Sequence, residues 1–431
     1  MFTLCLLGIM IVTLFLEVPM IVGMLIAALT AQKLFIPALN PALIMQNIVS
    51  GVSSYVYQAI PMFILAADII CNGQCANRLL RLCRAFVGHL PGGVATTASA
   101  TCTIFGAISG STQATFVAVG RPMHRELLKI GYTVPHSLGL LMSAANIALL
   151  IPPSTVMIMY CVVTGSSVSD LFMAGIIPGL LLFLIYAAYE GVVAVTIDKD
   201  SIQRQPRASL REIWMAFKES ILALGFPLVI LGGIYSGIVT PTEAAAVSVV
   251  YALIVEGLIY RTLTFKKFKE MLISTSVTMG ALMVLTASGQ VFSFMLTFAK
   301  VPQNLANSII SFGSGQATTW IVVTLAFFVA CMFMDCFPVI LILTPIFFPI
   351  AKTVGINEIQ LGVVITLLSA LGCVTPPFGC NIFTAMTIFN ENFYNVVKGL
   401  LPYILLALIL CLFLILFPGI SLWLPSMAAA H

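Results

Sequence analysis

Two pairs of adjacent prolines, Pro152-Pro153 in IPPST and Pro376-Pro377 in CVTPPFGCN, stand inside long apolar runs. Each pair removes backbone donors and frees carbonyls from any helix it interrupts. At membrane depth those carbonyls must find a partner, and a bound cation is one. Na⁺ is a hard cation suited to carbonyl and hydroxyl oxygens, by the logic that brings Ca²⁺ and Mg²⁺ to oxygen ligands. The alternative is a proline kink held by a neighbouring Ser or Thr, and recurrence of the motif weighs against it. Asp335, in the otherwise apolar MFMDCFPV, is the third feature. An ionisable residue at membrane depth is functional by default, unless it only caps a helix at an interface.

The setting is a membrane. Of 431 residues, 60% are hydrophobic and 8% charged, with a mean hydropathy of +1.11. A soluble domain carries about 25% charged residues, so soluble enzymes, nucleic-acid binders and disordered chains are excluded. The chain reads as an all-α, polytopic integral membrane protein. Eleven cysteines and four histidines are scattered without metal-ligand spacing, so the cysteines read as small packing residues. No His/Asp/Cys constellation suits hydrolysis, and no ring of charges suits a channel. The opening MFTLCLLGIMIVTLFLEVP lacks a basic n-region and a cleavage site, and is read as a first span.

Apolar segments fall at roughly 3–35, 43–71, 91–119, 134–165, 171–197, 220–239, 241–260, 271–297, 318–350, 356–389 and 396–424. A charged linker, 198–219, divides them. Of nineteen Lys and Arg, fifteen lie in four clusters: 78–84, 121–129, 199–218 and 261–269. Basic clusters in short loops mark the cytoplasmic side. Two segments separate Lys129 from Lys199, and two separate Lys218 from Arg261, so parity is kept. Only one separates Arg84 from Arg121, which makes 91–119 a re-entrant hairpin. Its Gly, Ala, Ser and Thr suit a buried hairpin with its tip at Phe105 to Thr112. The alternative is a small-residue packing helix using Gly106 and Gly110.

A shift of 224 residues lays Gly131 on Gly355, Pro152-Pro153 on Pro376-Pro377, and Pro178 on Pro402. This places a second hairpin at 318–350, with its tip near Met332 to Pro338, and a second broken helix at 356–389. Parity gives the two copies opposite orientation, a transporter signature. The expected organisation is scaffold helices and a cytoplasmic arm over 1–90 and a first transport repeat over 91–197. After the linker come further scaffold helices and arms over 220–317 and a second transport repeat over 318–424. The N-terminus is expected in the cytoplasm and the C-terminus in the periplasm.

Four other acidic residues, Glu17, Asp68, Glu190 and Glu256, read as structural or interfacial. Glu243 reads as a first-turn residue after Pro241, capped by Thr240 or Thr242. Arg78, Arg81 and Arg84 give an amphipathic helix along the cytoplasmic surface, and 260–271 reads similarly.

The chain resembles, essentially end to end, the large membrane subunit of tripartite ATP-independent periplasmic (TRAP) transporters. The matching stretches are FGAISGSTQAT at 105–115, IPPS at 151–154, DLFMAGIIPG at 170–179, GGIYSGIVTPTEAAAV at 232–247, TPIFFPIAKTVGI at 344–356 and TPPFGCNIF at 375–383. The resemblance implies an elevator-type secondary transporter of the bacterial inner membrane, driven by a Na⁺ gradient. It also implies a separate four-helix small membrane subunit and a periplasmic substrate-binding protein. Its ion and substrate residues would be Ser109, Gly110, Ser111 and Thr112 in the first tip, with Asn146, Pro152, Pro153 and Ser154 opposite. In the second half they would be Asp335 and Pro338, with Thr375, Pro376, Pro377 and Asn381 opposite. The cargo would be an organic anion, sialic acid favoured over a C4-dicarboxylate. A self-sufficient ion-coupled carboxylate symporter is the alternative, told apart by whether the chain alone transports.

Overall fold

The computed structural model describes residues 2–16, 18–197, 206–311 and 315–428. Glu17 and the linker positions 198–205 lie outside these residues. Among the described residues six helices are long and apolar enough to cross a bilayer, and up to nine if three bent pairs are counted as spans.

The run 91–119 folds as a hairpin. Helix Gly93–Ser109 stops at Gly110, in the left-handed conformation at φ +57, and Ser111 caps the return helix Thr112–Lys129. The return arm extends ten residues past the segment's expected end. Both glycines of the packing alternative are used as well. A Cβ on Gly106 would lie 2.5 Å from the Cα of Ala148, and one on Gly110 would lie 2.2 Å from the carbonyl oxygen of Pro153. The hairpin therefore presses its backbone onto the first broken span. That span runs as Val134–Ala145, Ile147–Leu150 and Thr155–Thr164, bent by 43° at the proline pair.

The second half repeats this order of elements. Helix Gly315–Phe333 turns at Met334, and Asp335 caps the return helix Cys336–Thr353. The span Glu358–Gly372 then breaks and resumes as Cys380–Phe389. The offset of 224 residues carries Ser109 onto Phe333, the capping Ser111 onto the capping Asp335, and Lys129 onto Thr353. It also carries Gly131 onto Gly355, both at positive φ, and the capping Thr133 onto the capping Asn357.

The halves interlock. Thr155–Thr164, beyond the first break, packs on the return arm Cys336–Thr353 of the other hairpin, and Cys380–Phe389 packs on the first return arm, Thr112–Lys129. Around this core lie Met20–Phe35, Pro41–Val52, Ala59–Cys71, Leu210–Tyr235, Pro241–Ala252 and Phe265–Phe298.

Several long segments divide differently than expected. The run 3–35 is two helices, Phe2–Phe15 and Met20–Phe35, separated at Pro19, whose ring cannot continue a helix. The run 43–71 bends by 47° between Val52 and Tyr55. The linker is helical from Leu210, because Ser209 and Glu212 form a capping box. Residues 265–271 are the first turns of a 34-residue helix, not a separate surface arm. Glu243 and Thr240 form a capping box, as the capping reading expected.

The arm Cys75–Val87 is bound on both flanks. Glu256 accepts from the Gln74 and Cys75 amides at 3.1 and 3.0 Å, satisfying open donors at the arm's N-terminus. Arg81 pairs with Glu219 at 3.1 Å, and Arg84 with Glu126 on the first return arm at 3.0 Å.

Gly110 and Gly165 offer a controlled comparison, since both are left-handed but only Gly110 has a close neighbour. Gly165→Ala should cost about 1 kcal/mol of backbone strain, whereas Gly110→Ala should cost roughly 2 kcal/mol or more. Thermal unfolding of the purified variants checks this, and equal losses would contradict the close approach of hairpin and broken span.

Candidate functional site

The two hairpin tips and the breaks of the two broken spans open onto one cavity of ≈ 730 Å³. The first tip contributes Ser109, Ser111, Thr112 and Gln113, and the second contributes Asp335, Cys336, Phe337 and Pro338. The first broken span adds Leu149, Thr155 and Val156, and the second adds Cys373 and Cys380. These residues sit at helix ends, where unmade backbone bonds leave partial positive charge at N-termini and partial negative charge at C-termini. Such a wall can hold a cation against carbonyl and hydroxyl oxygens and an anion against amides.

The facing wall comes from other helices. Ile64, Ala67 and Asp68 share one face of Ala59–Cys71, and Ser274, Thr278 and Ala281 share one face of Phe265–Phe298. Met20 and Ile21 complete it. Among the described residues no Lys, Arg or His lines the cavity, while two carboxylates do.

Behind the cavity each tip is tied to the break of its own half. Thr155 donates to the Gly110 carbonyl at 3.2 Å, and the Phe378 amide donates to the Met332 carbonyl at 3.2 Å. A second set of bonds crosses between halves. Thr112 donates to Asn381 Oδ1 at 3.4 Å, and Asn381 Nδ2 donates to Asn146 Oδ1 at 3.2 Å. Both asparagines are buried. Ser109 shares its hydroxyl with Thr115 at 2.7 Å, and Ser154 caps Thr155–Thr164 by accepting from the Met157 amide.

The expected site residues thus fall into two sets. Ser109, Ser111, Thr112, Asp335 and Pro338 line the cavity. Gly110, Asn146, Pro152, Pro153, Ser154, Thr375, Pro376, Pro377 and Asn381 stand outside its lining. Within this second set, Gly110, Asn146, Ser154 and Asn381 support the tips or breaks, whereas Thr375 bonds only back to the Leu371 carbonyl of its own helix, at 2.7 Å. Asp335 caps its helix, accepting from the Cys336 amide at 2.7 Å, and also lines the cavity. No cluster of three or more His, Cys, Asp or Glu that could hold a metal is present among the described residues. The available donors are hydroxyls, side-chain amides and backbone carbonyls, a set that fits a hard cation.

A family profile described as the DctM component of tripartite ATP-independent periplasmic transporters matches residues 7–420. The chain belongs to that family. The large permease is 43% identical to the ectoine TRAP permease TeaC of Halomonas elongata over 89% of this chain and 90% of that one. It is 41% identical to the ectoine/5-hydroxyectoine permease UehC of Ruegeria pomeroyi over 97% of each. Identity to the C4-dicarboxylate permease DctM of Pseudomonas aeruginosa is 35% over 86% of each. Among solved structures, the YdaH transporter of Alcanivorax borkumensis superposes with a TM-score of 0.58 at 16% identity, covering 88% of both chains. MtrF of Neisseria gonorrhoeae gives 0.52 at 14% identity, covering 87% of this chain and 82% of that one. These two share the fold. The TRAP permease is a multi-pass membrane protein that transports and does not catalyse, and it works with a small membrane subunit and a periplasmic binding protein.

Asp68 was read from sequence as structural or interfacial, and the structure puts it on the cavity wall. The rule that singled out Asp335 would have found it, since it is the one charge in the run 43–71. Ser274, Thr278 and Gln113 carry no comparable signal. Glu190 stays structural: it is fully buried and accepts from Tyr403, with His136 Nε2 at 3.0 Å.

Asn381→Leu removes the cross-half bonds and leaves buried partners unpaired, which should cost about 1–3 kcal/mol. Thr375→Val should stay within about 1 kcal/mol, because only a local helix bond is lost. Thermal unfolding of the two variants checks the contrast; an Asn381→Leu variant as stable as Thr375→Val would remove the cross-half network from the account.

Proposed function

We propose that this TRAP permease carries out Na⁺-coupled uptake of a small carboxylate solute, handed over by its binding protein, through the cavity where the four helix breaks meet. That convergence is the observation carrying the reading. A solute carboxylate entering a cavity lined by Asp68 and Asp335 meets like charge and no basic side chain. Two such charges roughly 6 Å apart repel by about 3 kcal/mol at an effective dielectric of about 20. Na⁺ bound at the tips and breaks offsets this repulsion, and the helix N-termini there add attraction for the carboxylate. Loading of ion and solute is thereby coupled, and the ion must favour the loaded state for transport to be directed.

The two halves act as inverted repeats, an assignment supported by the common offset of helix ends and caps and by the charge parity of the loops. That parity puts the four basic clusters in the cytoplasm. Hairpins and broken spans, interlocked across the halves, slide as one body against the surrounding helices in an elevator movement. Family membership favours this tripartite system over a self-sufficient symporter. For the cargo, the ectoine relatives at 43% and 41% identity favour an ectoine-type solute over the sialic acid expected from the sequence. Ectoine is a zwitterion with one carboxylate and one amidinium, a smaller repulsive load here than a dicarboxylate.

The test is uptake of labelled ectoine into proteoliposomes holding both membrane subunits, with binding protein outside. Accumulation should follow an inward Na⁺ gradient and stop when K⁺ replaces Na⁺. Ser109→Ala and Ser111→Ala should each raise the half-saturating Na⁺ concentration about threefold or more, the loss of one oxygen contact. Uptake that persists without a Na⁺ gradient would contradict the coupling.

A further inference from the structure

We infer that Asp68 is the counter-charge for a cationic group on the transported solute, so that the cavity selects carboxylates that also bear a cation. The inference rests on the proposed function and names which solutes pass through that site.

The two cavity carboxylates are not equivalent. Asp335 is engaged as a helix cap by the Cys336 amide. The Asp68 carboxylate, half-buried on Ala59–Cys71, makes no hydrogen bond or ion pair with any described residue. A charge withdrawn from water is costly unless something pairs with it, and among the described residues no Lys, Arg or His lines the cavity to do so. The partner must therefore enter with the traffic.

That partner is an organic cation and not the coupling ion. Na⁺ takes several oxygens at once, whereas the residues that share Asp68's face of Ala59–Cys71, Ile64 and Ala67, are apolar. Met20, Ile21, Ser274 and Thr278 are elsewhere in the same lining. Apolar surface around one carboxylate suits a weakly hydrated, delocalised cation such as an amidinium or a quaternary ammonium. A zwitterion would span the cavity, its carboxylate at the helix ends and Na⁺, its cation at Asp68. Such a solute repays both charged walls, whereas a dicarboxylate leaves Asp68 facing like charge. Asp68 also belongs to Ala59–Cys71, outside the hairpins and broken spans. Its contact with the solute is thus made across the boundary between the sliding body and its surroundings.

The test uses the purified complex of both membrane subunits. Thermal stabilisation is titrated with Na⁺ alone, and then with ectoine, succinate or N-acetylneuraminate at saturating Na⁺. Wild type should respond to ectoine. Asp68→Asn should raise the half-saturating ectoine concentration about tenfold or more, the loss of one charge-assisted contact. It should leave the Na⁺ titration within about twofold, which also shows that the variant is folded. Asp68→Glu should recover part of the ectoine response. The inference is overturned if Asp68→Asn keeps its ectoine response within about twofold, or if the Na⁺ titration shifts as far as the ectoine one. It is also overturned if wild type responds to succinate or N-acetylneuraminate and not to ectoine, a result that leaves Na⁺-coupled carboxylate transport standing. Failure of every solute to bind in a Na⁺-dependent way overturns both readings.

Discussion

A helix interrupted at membrane depth cannot leave its backbone ends unpaired, and the rest of this structure follows from that constraint. Four interruptions meet among the described residues, at Gly110, at Pro152-Pro153, at Met334-Asp335 and over residues 373–379. Each pairs part of its loose backbone with protein. Ser111, Ser154 and Asp335 cap the helices that follow, and the Gly110 and Met332 carbonyls accept from the neighbouring breaks. Residues beside each of these four places line a single cavity. The chain has thereby gathered partial charges of both signs in one place without using a basic side chain.

Interlocking explains how the breaks stay together. A hairpin tip needs a backbone surface close enough to bond, which requires glycine at the contact. Gly110 against Pro153 and Gly106 against Ala148 supply it in the first half, and Gly372 against Cys331 supplies it in the second. Crossing of the second helical pieces onto the opposite hairpins, with the Thr112–Asn381–Asn146 bonds between them, joins the two copies into one body. A change at either hairpin tip is therefore felt by both halves.

The features that interrupt periodicity were legible in the sequence. Proline pairs, a run of small residues and an aspartate among apolar neighbours are local departures from a uniform background. They located both tips and both breaks to within a few residues. The asparagines and Ser154 entered only through family resemblance, and the structure gives Asn146, Asn381 and Ser154 supporting positions. Thr375 has no such place, because its hydroxyl turns back on its own helix. The facing wall was not legible. Ser274 and Thr278 lie on a helix whose polar residues show no single face, and Asp68 meets the hairpins only through tertiary packing across the chain. Helix boundaries failed where caps decided them, as at Ser209 and Thr264, since a capping side chain can start a helix inside a stretch that composition marks as polar.

The central claim, that the four breaks form one ion-dependent site, is tested most directly by amide hydrogen exchange across a Na⁺ titration of the purified membrane complex, with K⁺ holding ionic strength constant. Exchange in segments 106–114, 149–156, 332–338 and 372–381 should slow together as Na⁺ rises, while the arm Cys75–Val87 stays unchanged. Exchange at the breaks that is indifferent to Na⁺, or protection confined to segments away from them, would contradict the account.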